Sequence, residues 1–222
     1  MMPKVDDEYL TKKQEYILAC TGEVLREKPL YIVTMSDIIK KAGFSHGVIY
    51  RYYANLDEIF IDFINGNTGV DSLGQQIDAL IESERSAPSV IADCIIALGE
   101  YVNSLFDSTW GRCFFELVVY YSHDVEKRTR VFPHLIFKQH LDQAKQKIVD
   151  YVITCSAEGN VALAIPVDSM VQFVNYCIDG ITQNMAIMGV DRENQVPSVK
   201  SMSAFETLAQ VVVNFIRTLE RG

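Results

Sequence analysis

Cysteine is scarce and odd in number in this 222-residue chain. Cys20, Cys94, Cys113, Cys155 and Cys177 are widely spaced within apolar helical patterns, which argues against a disulfide framework or a zinc site. The four histidines, His46, His123, His134 and His140, fall in no metal-ligand spacing, and the chain has neither a nucleophile elbow nor a glycine-lysine phosphate loop. No metal, no cofactor and no catalytic residue is therefore expected, and the chain is not expected to be an enzyme. It also lacks a charge-free apolar run of transmembrane length, and its opening MMPKVDDEY is too polar for a signal peptide, so a cytoplasmic protein is expected. Paired alternating strands joined by a hairpin turn are missing too. Helical periodicity runs through almost the whole chain, and 49% hydrophobic content is enough for a substantial core. The expected fold class is all-α, a small N-terminal head followed by a larger helical body.

Within that background, residues 34–53, TMSDIIKKAGFSHGVIYRYY, carry the most information. Thr34 followed by Asp37 is a capping-box pattern that predicts a helix from Met35. Met35, Ile38, Ile39 and Ala42 recur on one helical face, with Ser36, Lys40 and Lys41 turned to solvent. Gly43 stops that helix in the position where positive φ is needed, and Phe44 plugs the turn. Ser45 then starts a second helix, whose inward stripe is Val48, Ile49 and Tyr53 with Tyr52 at its edge. Ser45, His46, Gly47, Tyr50 and Arg51 are left outward. Two short helices joined in this way form a helix-turn-helix, whose second helix enters the major groove with small or polar residues in its first turn while nearby hydroxyls donate to phosphates. The expected DNA-contacting residues are Thr34, Ser36, Ser45, His46, Gly47, Tyr50, Arg51 and Tyr52.

The longer run TMSDIIKKAGFSHGVIYRYYANLDEIF resembles the DNA-binding signature of TetR-family transcription regulators, through its A-G-x-S turn, its aromatic ending and the acidic start of the next helix. The resemblance spans roughly the first 65 residues. It departs at two places: Ile39 stands where a small alanine is usual between the two helices, which changes their spacing or angle, and Leu56 stands where a lysine commonly grips a phosphate. The resemblance implies a double-stranded DNA operator, a small-molecule effector and a homodimer in which the last two helices of each subunit pair, setting two heads on a palindromic site.

Charge first reads as an objection, because the chain carries −9 overall with a pI of about 4.9, whereas DNA-binding domains are generally basic. Residues 1–55 nonetheless hold eight Lys/Arg against seven Asp/Glu, and the remaining twelve against 22 lie downstream. The acid belongs to the body, which leaves a head near +1 able to meet phosphates. The expected division is a DNA-binding domain over 1–55 and a ligand-binding and dimerisation domain over 56–222.

Further helices are expected at 9–28, from Asn55 onward, and at 87–106, 109–122, 124–157, 167–189 and 202–219. Gly66, Gly69 and Gly74 interrupt the helix after Asn55, as a loop or as a hinge, and Pro133 kinks or splits the 124–157 segment. In the body, Tyr101, Trp110, Phe114, Phe137, Phe173 and Tyr176 are candidates for an apolar ligand cavity between helices, with most aromatics expected in the core. Glu116, inside FFELVVYY, must reach solvent, find a partner or lend polarity to a pocket. Gln172, Asn175 and Asp179 share one side of the 167–189 helix and Met170, Val174, Cys177, Ile181, Met185 and Met188 another. Glu116 and Asp179 complete the ligand candidates and favour a cation. The expectation is a ligand-responsive repressor with a partly apolar effector; the alternative is a helical small-molecule-binding or adaptor protein without DNA function.

Overall fold

The computed structural model describes residues 7–69, 71–188 and 201–218. Helix α1 spans Asp7–Glu27 and is closed by Pro29, after which Leu30–Ile32 form a 3-10 turn. α2 covers Met35–Ala42, and its start is the expected capping box: Thr34 Oγ1 accepts from Asp37 N at 3.2 Å while Asp37 Oδ2 accepts from Thr34 N at 2.9 Å. Gly43 ends it at φ 67 with its N–H on Ile39 O. α3 is a single turn, His46–Ile49, continued by Tyr50 N to His46 O and Tyr53 N to Ile49 O, both 3.0 Å. Ser45 occupies the cap position in extended conformation, but its side chain makes no capping bond; its carbonyl accepts from Val48 N and Ile49 N instead.

α4, Leu56–Asn67, begins as expected at Asn55, which accepts from Glu58 N at 3.1 Å. It stops at Thr68, so the glycine-rich stretch contains a break; Asp71 then caps α5, Ser72–Ile81, by accepting from Gly74 N. α6 runs Ala87–Leu105 with Pro88 in its first turn, and α7 Thr109–Ser122. Pro133 splits the expected 124–157 helix into α8, Val125–Val131, a 3-10 turn at Phe132–His134 and α9, Ile136–Ala157. α10 is Val167–Met188 and α11 Ser201–Phe215. Gly189, the last residue of the helix expected over 167–189, lies outside the described residues.

The C-terminal end of the chain departs from the expected all-helical pattern. The last helix stops at Phe215 rather than near 219, and Ile216–Thr218 form a strand, β2, paired antiparallel with β1, Val161–Leu163. The physical reason is local. Gly159, at φ 72, turns the chain after α9, and the β-branched Val161 and Ile216 bury one face of the ribbon at 1% and 7% exposure. These three pairs are too short to announce themselves by alternation.

Packing divides the chain into two compact units: residues up to Thr68 together with Ser108–Phe137, and Gly69–Asp107 together with residues from Lys138 onward. In the first, α1 and α4 bury Ile17, Phe60 and Ile64 with Ile38 and Ile49 of the helix-turn-helix. In the second, α6 lies close against α11, with Phe205 over Gly99. Among the described residues, no single helix is long and apolar enough to cross a membrane.

Candidate nucleic-acid interface and ligand cavity

The helix-turn-helix presents a compact polar face. Ile38, Ile39, Ala42, Ile49 and Tyr53 are buried, so the outward positions are fixed by the same helical register. Thr34, Ser36, Ser45, His46, Gly47, Tyr50 and Arg51 are exposed and Tyr52 is half-buried, which brings all eight expected DNA-contacting residues onto two adjoining helix starts and the turn after α3. His46 and Tyr50, one turn apart, lay their rings nearly parallel with centroids 6.4 Å apart. Gly47 has nothing within 4 Å of where a Cβ would stand, and its φ is not in the left-handed region. The fold itself does not require glycine there; the missing side chain opens space outward.

Internal ion pairs decide which head cations remain for phosphates. Lys41 binds Glu23 and Glu27, both at 3.0 Å, and these hydrogen bonds hold its ammonium charged above the ordinary range, Glu23 contributing most. Lys28 binds Asp37 at 2.5 Å. Lys13 lies 5.3 Å over Phe44, whose ring also meets Tyr16, so Phe44 does plug the turn. Among the described residues, Lys40 and Arg51 pair with no carboxylate. Thr34 differs from its expected role in one respect: its hydroxyl is already engaged with Asp37, accepting from the backbone and donating to the carboxylate at 2.8 Å.

The eight ligand candidates are divided between the two units. Trp110, Phe114 and Phe137 form an edge-to-face cluster in the first unit, with centroids 5.6 and 4.7 Å from Phe137. Phe114 and Phe137 are buried there, as core aromatics are. Glu116 finds its partner in a backbone group, accepting from Leu30 N at 2.6 Å. Tyr101 belongs to the second unit, half-buried, and burial, followed by the charge of Asp71, raises its phenol. Phe173 and Tyr176 are exposed on α10, at 39% and 72%, and line an open groove with Cys177, Ile181, Leu208 and Val211 of α10 and α11. Asp179 is exposed and pairs with Lys145 at 3.3 Å.

A different set of residues encloses space. In the second unit, Ile91, Ile95 and Leu98 of α6, Ile148, Val149 and Val152 of α9, Met170, Val174 and Ile178 of α10, Val212 of α11 and Ile216 of β2 surround a narrow cavity of about 50 Å³. Lys145 and Asn175 are the polar residues of this lining. None of the eight candidates belongs to it, although Asp179 reaches it through Lys145. Aromatic residues stand out in the sequence, whereas aliphatic residues at helical spacing carry no mark that separates a cavity wall from a filled core.

Comparison with known proteins bears on the same two regions. The sequence model of the family described as bacterial regulatory proteins, tetR family, matches residues 17–63, which encloses α2 and α3. YfiR, an HTH-type transcriptional regulator of Bacillus subtilis (strain 168), is 26% identical over 184 residues, 83% of this chain and 85% of that protein. A TetR transcriptional regulator from Agrobacterium tumefaciens shares the fold at a TM-score of 0.63 and 9% identity, covering 95% of this chain and 96% of its own. The transcriptional regulator FadR from Bacillus subtilis, in complex with stearoyl-CoA, does so at 0.55 and 17%, covering 91% and 99%.

Proposed function

We propose that the chain is a DNA-binding transcription regulator of the TetR family of bacterial regulatory proteins, a cytoplasmic, homodimeric repressor released from a palindromic operator by a small, partly apolar effector. The observation that carries this reading is the exposed ridge from Ser45 to Arg51, set by the left-handed Gly43 turn and opened at Gly47. Residues 1–55 read DNA, and 56–222 bind the effector and the second subunit. Ser45, His46 and Gly47 approach base edges, while Ser36, Tyr50, Arg51, Tyr52 and the backbone around Thr34 hold phosphates. Support for a dimer comes from the exposed apolar side chains Phe173 and Tyr176 over the α10–α11 groove, which a second copy would cover.

The effector enters the second unit at the aliphatic cavity, which at about 50 Å³ must widen by separation of its helices to take a ligand. Its wall of isoleucine, valine, leucine and methionine suits a linear alkyl chain better than a flat aromatic, and Lys145 exchanges its partner Asp179 for an acidic or thioester-linked headgroup. The acyl-CoA held by a protein of the same fold agrees with that class. Occupation of the cavity favours one of two arrangements, and DNA is released by as much as the effector binds the other arrangement less well.

Selection of duplexes from random DNA by the purified chain, with and without a saturated acyl-CoA, tests the whole reading. The expected result is a two-fold-symmetric site whose complex dissociates on addition of the thioester. Failure of the wild type to enrich any sequence overturns DNA reading, and enrichment indifferent to acyl-CoA overturns the acyl effector.

A further inference from the structure

Glu116 is the single carboxylate in the run FFELVVYY, and its partner is unusual: Oε2 accepts the backbone N–H of Leu30 at 2.6 Å, across 86 positions of sequence. We propose that Glu116 is a positioning residue for DNA reading, an arm from α7 that holds the turn from which α2 starts. The inference rests on the DNA-reading function above.

The turn needs such a partner. Pro29 has no N–H and a fixed φ of −65, and Leu30 opens a 3-10 turn whose own bonds run from Ile32 N to Pro29 O and from Val33 N to Leu30 O. The Leu30 N–H therefore has no acceptor within the turn, and the residue as a whole is only 2% exposed, so water is a poor substitute. A carboxylate is the strongest acceptor available to a backbone donor. One helical turn further along α7, the Tyr120 ring meets Tyr31 at 6.4 Å between centroids. From the other side Lys28 reaches over the turn to Asp37 in the first turn of α2. Residues 28–37 are thus pinned at three points, two of them supplied by α7. Since Thr34 and Ser36 lie directly after this turn, a released turn would let the start of α2 drift and take its phosphate contacts out of register, while the core contacts of Ile38 and Ile39 stay in place.

The test compares wild type, E116Q, E116D and E116A as full chains on the duplex that the wild type selects and on an unrelated duplex of equal length. E116Q keeps an acceptor oxygen at the same reach; E116D keeps the charge but withdraws it by one methylene. The expected result is that E116A and E116D weaken the selected complex about tenfold and the unrelated duplex much less, because phosphate contacts are shared but the register they set matters only to the selected sequence, while E116Q restores most of the loss. A structural role alone would lower the unfolding midpoint without changing the ratio of selected to unrelated binding. If E116A does not fold, E116D decides, because it conserves charge and nearly all of the packing. A folded E116D or E116A with wild-type discrimination overturns the proposal, and so does an E116Q as weak as E116A. Hydrogen exchange at the Leu30 amide separates this from the function it rests on: exchange is expected to accelerate at least about tenfold in E116A even if no duplex is ever selected, and unchanged exchange overturns the arm itself.

Discussion

The Tyr121 hydroxyl donates to Asp57 Oδ1 at 2.5 Å, while the other oxygen of Asp57 accepts from Arg130. Asp57 is 7% exposed in the first turn of α4, where the helix dipole favours an anion, and both its oxygens are paired. Burial first, and then the bond to Asp57, drive the Tyr121 phenol far above its ordinary value, so it stays a donor at any ordinary pH. Y121F removes that donor and leaves Asp57 to the half-exposed Arg130. Urea unfolding is expected to show a loss of about 1–2 kcal/mol, and a loss below about 0.3 kcal/mol would mean that Arg130 alone satisfies the carboxylate.

The Asp37 carboxyl gives the fold a defined acid sensitivity. The hydrogen bond from Lys28, followed by those from the Thr34 backbone and hydroxyl, lowers it from 3.8 to about 2. A carboxyl lowered in the folded state stabilises above its unfolded value and loses that contribution as pH falls through the folded one. Thermal midpoints of the wild type are therefore expected to fall between about pH 4 and pH 2 more steeply than those of D37N, which is less stable at neutral pH but lacks this part of the slope. Parallel profiles for the two chains would show that the Lys28 pair is too solvated to matter.

What was legible in the sequence was local. Thr34, Asp37, Gly43 and Asn55 act within four residues of their partners, so capping chemistry and periodicity place α2, α3 and α4, and Pro133 marks the split between α8 and α9. What was not legible depends on partners far along the chain. Glu116 meets Leu30, Asp57 meets Tyr121, and the Ile216 strand meets Val161, none of which any local pattern encodes. The candidate cavity was missed for a related reason: Ile95 or Val174 looks the same in sequence whether its neighbour is another side chain or an opening.

Gly99 carries a packing requirement that can be tested directly. A Cβ added there would overlap Cβ, Cγ and Cδ2 of Phe205, which is fully buried between α6 and α11, so no rotamer change at the rim relieves it. G99A is expected to cost about 1–3 kcal/mol by overpacking, although alanine is the better helix former by about 1 kcal/mol. The double variant G99A/F205L, with a smaller side chain facing the new methyl group, is expected to recover part of the loss in urea unfolding. If G99A alone proved as stable as the wild type, α6 and α11 would have to move apart without cost.

Different contacts at the reader are separable by their response to salt. Tyr50 is 52% exposed and carries no charge, so Y50F is expected to weaken binding to the selected duplex about three- to tenfold by removing a phosphate hydrogen bond, at every ionic strength alike. Arg51 pairs with no carboxylate among the described residues, and R51A is expected to reduce the slope of log K against log salt by about 0.9, the signature of one released counterion. K41A is expected to change that slope little, because Glu23 and Glu27 already hold its charge. Gly47 acts differently again: G47A meets nothing within the protein and replaces a helical glycine, so its stability is expected to equal or slightly exceed that of the wild type while the selected sequence, or the affinity for it, changes. Titrations of these four variants between low and physiological salt check the assignments together, and a K41A slope reduced as far as that of R51A would place Lys41 on a phosphate instead.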